Sequence, residues 1–430
     1  MMEKKYWFYI DSYVHISVKK DAALFYNSYS GKILEYEGEP KIMRLVKKLC
    51  LPENLRVIPL WESELNNPII KAFVFNIRKN FMGDLLEASA SKTKPAQLPP
   101  FVKINKDIDF LKRDKNRSVG EDIMDYLTDI YIYINVKCHR NCIICNLAYR
   151  QLPYCTSNQL RKHELAIDYL KILESETRSA PYLDYHILGG NILKYSMFDQ
   201  ALELIKSFNN QKFFYLHYLN LESSKECLQK IKKAGVILMI LVNWPLDEKQ
   251  LKFSLKTLFA SGIDYKLTFI IRDEQDFQNA DKIINGYKLK NFEFKALYTG
   301  CNLAFFEKNI YIEKNEITEV HPSLKDIYSR SLINVFHFGK LTILPNRNVY
   351  ADINASCLGI LGQNSIYDIM MKELIKGKSW RKIRRNVLPC KSCTYECLCP
   401  PISNYNTIIG RNDLCHIRME KRLNENHTGD

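Results

Sequence analysis

Between residues 127 and 300 the sequence alternates strand-like and helix-like segments at regular spacing, and this limits the fold more than any other feature of the chain. The six strand candidates are Ile130–Val136, Tyr185–Leu188, Lys212–Leu219, Val236–Val242, Tyr265–Ile271 and Phe292–Tyr298. Amphipathic stretches at Ser196–Phe208, Ser223–Ala234, Glu248–Ala260 and Asp276–Gly286 separate the later ones. Strand–helix repeats of this kind predict an α/β fold with a parallel sheet, either open or curled into a partial (β/α)6 barrel. The run VILMILV at 236–242 has no polar break, as a strand covered on both faces requires. Such sheets collect ligands at the carboxyl ends of their strands, so the chemistry is expected there.

The flanks read differently. Residues 1–90 predict a small α+β unit, with β-rich runs at Tyr13–Lys20, Ala23–Tyr29 and Lys32–Glu37. Ser30-Gly31 suits a tight hairpin between the last two. Helical patterns follow at Pro40–Leu49 and Glu62–Leu86, around a strand-like LRVIPLW. The polar stretch from Ser89 to Pro100 opens a linker assigned to 91–126. From 301 to 430 the alternation stops and cysteines accumulate, which predicts a separate cysteine-stapled region.

A chain of 430 residues predicts two or three domains, and 46% hydrophobic with 26% charged residues is ordinary for a globular protein. The N-terminus lacks the apolar core of a signal peptide, and the longest apolar run, Val236–Val242, is far too short to span a membrane. A cytoplasmic protein without a membrane partner is the expectation. Disulfides are rare in that compartment, so thirteen cysteines need another explanation. The net charge of +14 suits an acidic partner, yet the basic residues are spread along the chain without the interleaved aromatics of a nucleic-acid face. No nucleic-acid partner is expected, and the densest basic segment, WRKIRRN at 380–386, reads as a solvated helix face.

Cys138, Cys142 and Cys145 form a C-x3-C-x2-C arrangement directly after the first strand of the alternating region. Three closely spaced thiolates can hold three irons of a cubane cluster and leave the fourth open for another ligand. Zinc is the competing reading, although zinc sites usually recruit four ligands in two separated pairs. His139 and Cys155 lie nearby in sequence, and neither is an obvious fourth ligand.

This spacing, after the first strand of a sixfold β/α unit, resembles the radical S-adenosylmethionine (SAM) superfamily. The resemblance implies a SAM-binding 4Fe–4S cluster on those three cysteines and reductive cleavage of SAM to a 5′-deoxyadenosyl radical. It extends to Gly189 and Gly190 at the end of the second strand, where the superfamily carries a glycine-rich SAM-binding turn. Two positions depart from the pattern. Ile144 stands before the third cysteine in place of an aromatic residue, and Asn191-Ile192 replaces an acidic residue and proline. Asn191 keeps a hydrogen-bond acceptor for the SAM amine without the negative charge. Asn243 and Arg272, at later strand ends, are candidates to reach the SAM ribose or carboxylate.

Cys390, Cys393, Cys399 and Cys415 make a second set, C-x2-C-x5-C followed by a distant fourth thiol. The set suits either a closed cubane or tetrahedral zinc. It resembles the downstream half of a SPASM domain, which implies one auxiliary 4Fe–4S cluster. A second auxiliary cluster is not expected, because Ser403, Phe338 and Asp352 occupy the positions where its cysteines would stand. Cys397 reads as a spare thiol, and Cys50, Cys227 and Cys301 as small buried hydrophobes. Cys155 and Cys357 are not assigned.

The N-terminal unit resembles the winged-helix-like leader-recognition domain of ribosomal peptide maturases, which binds an extended leader as an added edge strand. The resemblance thus covers nearly the whole chain. It implies an enzyme that modifies a ribosomally made precursor peptide, with flavodoxin or ferredoxin as electron donor. Two alternatives remain open: a catalytically inactive relative that binds precursor for another maturase, and a zinc-stabilised peptide-binding protein.

Overall fold

The computed structural model describes residues 3–90, 93–98, 122–138, 140, 142, 144–155, 164–221 and 225–417. Most of the linker expected at 91–126 lies outside the described residues, as does His139.

The N-terminal strands are β1 (Lys5–Ile10), β2 (Val14–Val18), β3 (Ala22–Asn27), β4 (Ile33–Glu37), β5 (Val57–Trp61) and β6 (Gly83–Glu87). They form two antiparallel sheets, in the orders β5-β1-β6 and β2-β3-β4. The expected hairpin joins β3 to β4, and the expected helix covers Pro40–Leu49. The helix expected over Glu62–Leu86 is broken. Asn67 accepts a hydrogen bond from the Ile69 N–H and Pro68 follows it, so a new helix starts at 68 and runs to Lys79. Phe81 then takes a positive φ of 52° and the chain returns as β6. β1 was not marked as a strand by the sequence, because its aromatic run lacks clean alternation, yet it is the centre of its sheet. Phe8, Phe25 and Phe73 meet in the core between these elements.

The six alternating strands form as expected: β7 (Asp129–Tyr133), β8 (Asp184–Leu188), β9 (Lys212–His217), β10 (Val236–Val242), β11 (Tyr265–Ile271) and β12 (Phe292–Ala296). Each is parallel to the next in chain order. Their side chains divide by the period of two. Ile130, Ile187, Phe214, Ile240 and Phe269 pack in the large helix-covered core. Tyr133, Leu188, Tyr215, Met239, Leu241 and Ile270 point to the other face and form a second core.

The sheet does not stop at 300. β13 (Lys340–Ile343) pairs parallel to β7, and β14 (Asn348–Tyr350) and β15 (Gly359–Ile360) extend the row to nine strands. The cysteine-rich region is therefore continuous with the central sheet. It also meets the N-terminal unit: Leu24 and Tyr26 of β3 pack with Ile317, Ile327, Tyr395 and Cys399. The Tyr26 hydroxyl donates to the Pro322 carbonyl at 3.0 Å. Among the described residues no helix is long and apolar enough to cross a membrane.

Candidate cofactor and substrate site

The loop leaving β7 is moulded against the end of β8. The Gly190 N–H donates to the Asn135 carbonyl at 3.0 Å, and the Asn191 N–H to the Lys137 carbonyl at 2.7 Å. Asn135 Nδ2 returns a bond to the Asn191 carbonyl at 2.9 Å. A Cβ on Gly189 would lie 2.3 Å from Asn135 Oδ1, and one on Gly190 would lie 2.6 Å from the Lys137 carbonyl oxygen. Both glycines are thus required by the backbone that delivers Cys138, before any ligand is considered. Asn191 spends its side-chain acceptor locally: Oδ1 takes the Leu193 N–H at 3.1 Å and starts the turn Ile192–Lys194.

Cys138, Cys142 and Cys145 are half-buried, and Cys145 opens the short helix Cys145–Ala148. The Cys142 and Cys145 thiols hydrogen-bond each other, and Cys155, previously unassigned, is buried and bonded to Cys145. The bond to Cys145, then burial, pushes the Cys142 thiol up, while burial leads in raising Cys138. At Cys145 the bond from Cys142 lowers the thiol, but the bond to Cys155 together with burial carries it upward. Thiols that hold their protons because they crowd one another fit a site whose cation would draw them into the thiolate form. Tyr154 adds a second sign. It is 0% exposed, its hydroxyl has no hydrogen-bond partner, and after burial its largest influences are Cys155, Cys145, Cys142 and Cys138. An orphaned donor among the thiols is what a cluster sulfide or its ligand would satisfy.

The remaining strand-end candidates do not share one space. Asn243 is buried and accepts from Nε2 of His217, whose Nδ1 accepts the Leu219 N–H at 3.3 Å. Burial pushes His217 down to about 4, so it is the neutral Nε2–H tautomer. Arg140, between the cysteines, donates to the Leu219 carbonyl, which links this pair to the cysteine loop. Arg272 turns elsewhere. Its guanidinium chelates Asp276 at 2.7 and 3.0 Å, and it lines a groove of about 610 Å³ with Trp244 and Asn279, between helices Glu248–Ser261 and Glu274–Tyr287.

The second cysteine set lies deeper. Cys390, Cys399 and Cys415 are buried and Cys393 is half-buried. Burial chiefly raises the Cys399 thiol; Arg384 opposes this, and Cys393, Cys415 and Cys390 add to it. Cys393, Cys415 and Cys390 therefore lie near Cys399, while Cys397 lies 3.4 Å from Arg385 Nη2. The basic segment beside them is not a solvated helix face. Trp380 is 1% exposed, and Arg384 is 5% exposed with Nε on the Pro400 carbonyl at 2.6 Å and Nη1 on the Asn412 carbonyl at 2.7 Å. Arg384 Nη1 also lies 3.4 Å from Cys390 Sγ, and Arg385 pairs with Glu396 at 3.1 Å. A buried guanidinium that bridges two carbonyls and a thiol is a structural strap. Its sequence signal was its position just before the first cysteine of the set.

Two of the three cysteines read as buried hydrophobes are exposed. Cys50 ends helix Pro40–Leu49, and Cys301 sits in the turn after β12, 3.3 Å from Thr299 Oγ1. Cys227 is half-buried and Cys357 is exposed. Among the described residues, no group of three or more His, Cys, Asp or Glu side chains closes around a single metal ion.

Sequence reasoning missed the interior cavity, about 320 Å³. Five aromatic rings line it: Tyr131 and Tyr133 of β7, Tyr149, Phe336 and Tyr405. Lys295 of β12 and Lys340 of β13 line it too, so strands from distant places in the row face one space. Its roof, residues 149–153, continues directly from Cys145 and is latched to the far strand. Gln151 pairs with both backbone groups of Tyr298 at 2.9 Å each, and the Tyr405 hydroxyl donates to the Ala296 carbonyl at 2.6 Å. Beneath Tyr131, His186 stacks between that ring at 4.4 Å and Phe213 at 4.9 Å. Its nitrogens bridge Asp129 at 3.1 Å and the Tyr215 hydroxyl at 3.0 Å. Burial would raise the Asp129 carboxyl, but the His186 bond, Lys340 and Thr128 hold it below the usual carboxylate range.

No protein-family model matches the sequence, and no curated protein matches it. Solved structures do. Streptococcus suis SuiB is 14% identical, covers 95% of this chain and 99% of its own, and has a TM-score of 0.42. SuiB bound to precursor peptide SuiA is 15% identical, covers 95% of this chain and 98% of its own, and has a TM-score of 0.41. Native anSMEcpe with bound AdoMet and Cp18Cys peptide is 9% identical, covers 70% of this chain and 99% of its own, and has a TM-score of 0.46.

Proposed function

We propose that this chain is a peptide-modifying radical SAM enzyme, with its SAM-binding 4Fe–4S cluster on Cys138, Cys142 and Cys145 and an auxiliary cluster on Cys390, Cys393, Cys399 and Cys415. The observation that carries this reading is the continuity of the first cysteine loop with the roof of the aromatic cavity, from Cys145 to Tyr149 and Gln151. A group bound at the loop would stand beside whatever the cavity holds.

A cluster on the first three cysteines would supply one electron to bound SAM. The protein's own residues would do the rest. Gly189 and Gly190 let the cysteine loop close on β8, and Tyr154 offers a hydroxyl among the thiols. The Gln151 latch keeps the roof down, and the rings below exclude water from the reacting side chain. Arg384, anchored on two carbonyls, would hold Cys390 of the second set. In this reading an extended leader adds to an edge strand of the N-terminal sheets, such as β4, and the net charge of +14 attracts an acidic one. A flavodoxin or ferredoxin would supply the electron.

The test is anaerobic reconstitution with iron and sulfide, followed by EPR of the dithionite-reduced protein with and without SAM. Iron near roughly eight per chain, a signal perturbed by SAM, and 5′-deoxyadenosine that disappears in Cys142→Ala are expected. A second reading, a precursor-binding partner that does not cleave SAM, is favoured by the commitment of Asn191 Oδ1 to the Leu193 N–H. Iron near roughly four with a signal indifferent to SAM would select it. Zinc without acid-labile sulfide would select a zinc-stabilised binding protein.

A further inference from the structure

The cavity contains a titratable pair that neither cysteine set uses. His337 and Asp352 both line it, and they are 4% and 6% exposed. His337 Nε2 lies 3.7 Å from Asp352 Oδ2, beyond hydrogen-bond reach, and has no hydrogen-bond partner. The rest of the pair is fixed. The imidazole bonds the Ala351 backbone carbonyl, which leaves the lone pair on Nε2, and Asp352 Oδ1 accepts the Asn354 N–H at 2.8 Å. A buried imidazole with one nitrogen held by a carbonyl, the other unpaired, and a carboxylate just out of reach is a proton acceptor waiting for a donor. Protonation would place an N–H opposite Asp352 and turn a gap into an ion pair.

The surroundings select the donor. Tyr131, Tyr133, Tyr149, Phe336 and Tyr405 surround the pair with rings, which suit an aromatic side chain. An aromatic guest can offer a free imidazole nitrogen a phenolic O–H or an indole N–H, and the phenolic O–H makes the shorter hydrogen bond. Lys340 also lines the cavity and disfavours a second cation beside His337.

Building on the reading that the cavity takes a peptide, we propose that His337 Nε2 accepts a hydrogen bond from the phenolic O–H of a tyrosine-like side chain bound there, with Asp352 as the positioning residue beside the imidazole. The proton stays on the phenol oxygen, no covalent bond is broken, and no oxidant is consumed. The class of substrate is thereby narrowed to peptides that present a phenol.

The experiment uses the full reconstituted chain and two probes, N-acetyl-tyrosinamide and N-acetyl-phenylalaninamide, with binding followed by ligand-observed NMR. The tyrosine probe should bind about tenfold more tightly at pH 8, where the imidazole is neutral. Its advantage should shrink as the pH falls and His337 takes a solvent proton, with burial first and then Asp352, Lys340 and Lys382 setting the midpoint. His337→Gln should erase the preference while both probes still bind. Asp352→Asn, which keeps the side-chain shape, should move the midpoint to lower pH. Equal binding of the two probes, or an undiminished preference in His337→Gln, overturns the proposal. 5′-Deoxyadenosine release, measured on the same preparation, reports on SAM cleavage alone, so loss of that activity would sink the reading above and leave the phenol preference to be judged by itself.

Discussion

The two cysteine sets are built in opposite ways. The first stands on a loop at the mouth of the sheet, half-buried, with the roof of a cavity running from its last member. The second is enclosed: three of its four thiols are buried, Arg384 straps Cys390 to two backbone carbonyls, and β3 of the N-terminal unit covers it. A site meant to exchange a ligand needs an open side, whereas a site meant to hold a group for the life of the protein can be closed over. Under the function proposed above, the contrast in burial would give exchange to the first set and retention to the second.

The sharpest way to break the contrast is to remove one thiol from each set. Cys399→Ser should cost about 4 kcal/mol or more and melt the C-terminal region, because metal binding and folding are one event at a closed site. Cys142→Ser should cost under about 1 kcal/mol while removing the iron of its own site. Denaturation curves with iron analysis check both, and equal losses would mean that the two sites are alike. Next in size is Arg384→Met, expected to destabilise by about 3 kcal/mol, since the Pro400 and Asn412 carbonyls lose their buried donor.

Gly190→Ala tests the first set through its scaffold. A methyl 2.6 Å from the Lys137 carbonyl oxygen must displace the loop, at a cost of about 2 kcal/mol. Reconstituted Gly190→Ala should keep the iron of the C-terminal set and lose that of the loop. The last test concerns acid. His217 is pushed down to about 4 by burial, so the unfolded chain binds a proton that the fold refuses. Its contribution is complete above roughly pH 6.5 and is lost as the pH falls toward 4, at about 1.4 kcal/mol per unit. His217→Gln should flatten that part of the stability–pH curve, as thermal melts from pH 7 to 4 would register.

The strand–helix alternation was legible because its central strands are covered on both faces and their residues say so, as in 236–242. That Cys390, Cys393 and Cys415 lie near Cys399 was anticipated by their spacing. The cavity was not, because its rings come from β7, the roof, the turn before β13 and the helix Asn404–Ile409, and no local pattern joins them. WRKIRRN misled because charge in a helical window reads as solvent contact, whereas here Arg384 has buried carbonyls to serve. β6 was lost inside an apolar run whose break at Pro68 and turn at Phe81 outweigh helix propensity.

The parallel pairing of β13 with β7 has a consequence for how such a chain can be cut or fused. A protein ending at 300 would present the bare edge of β7, from Asp129 to Ile132, as a template for another molecule's strand. The cysteine-rich region is consequently no detachable cassette. Its first hairpin seals the sheet that carries the other cysteines, so the two halves must be inherited, expressed and engineered together.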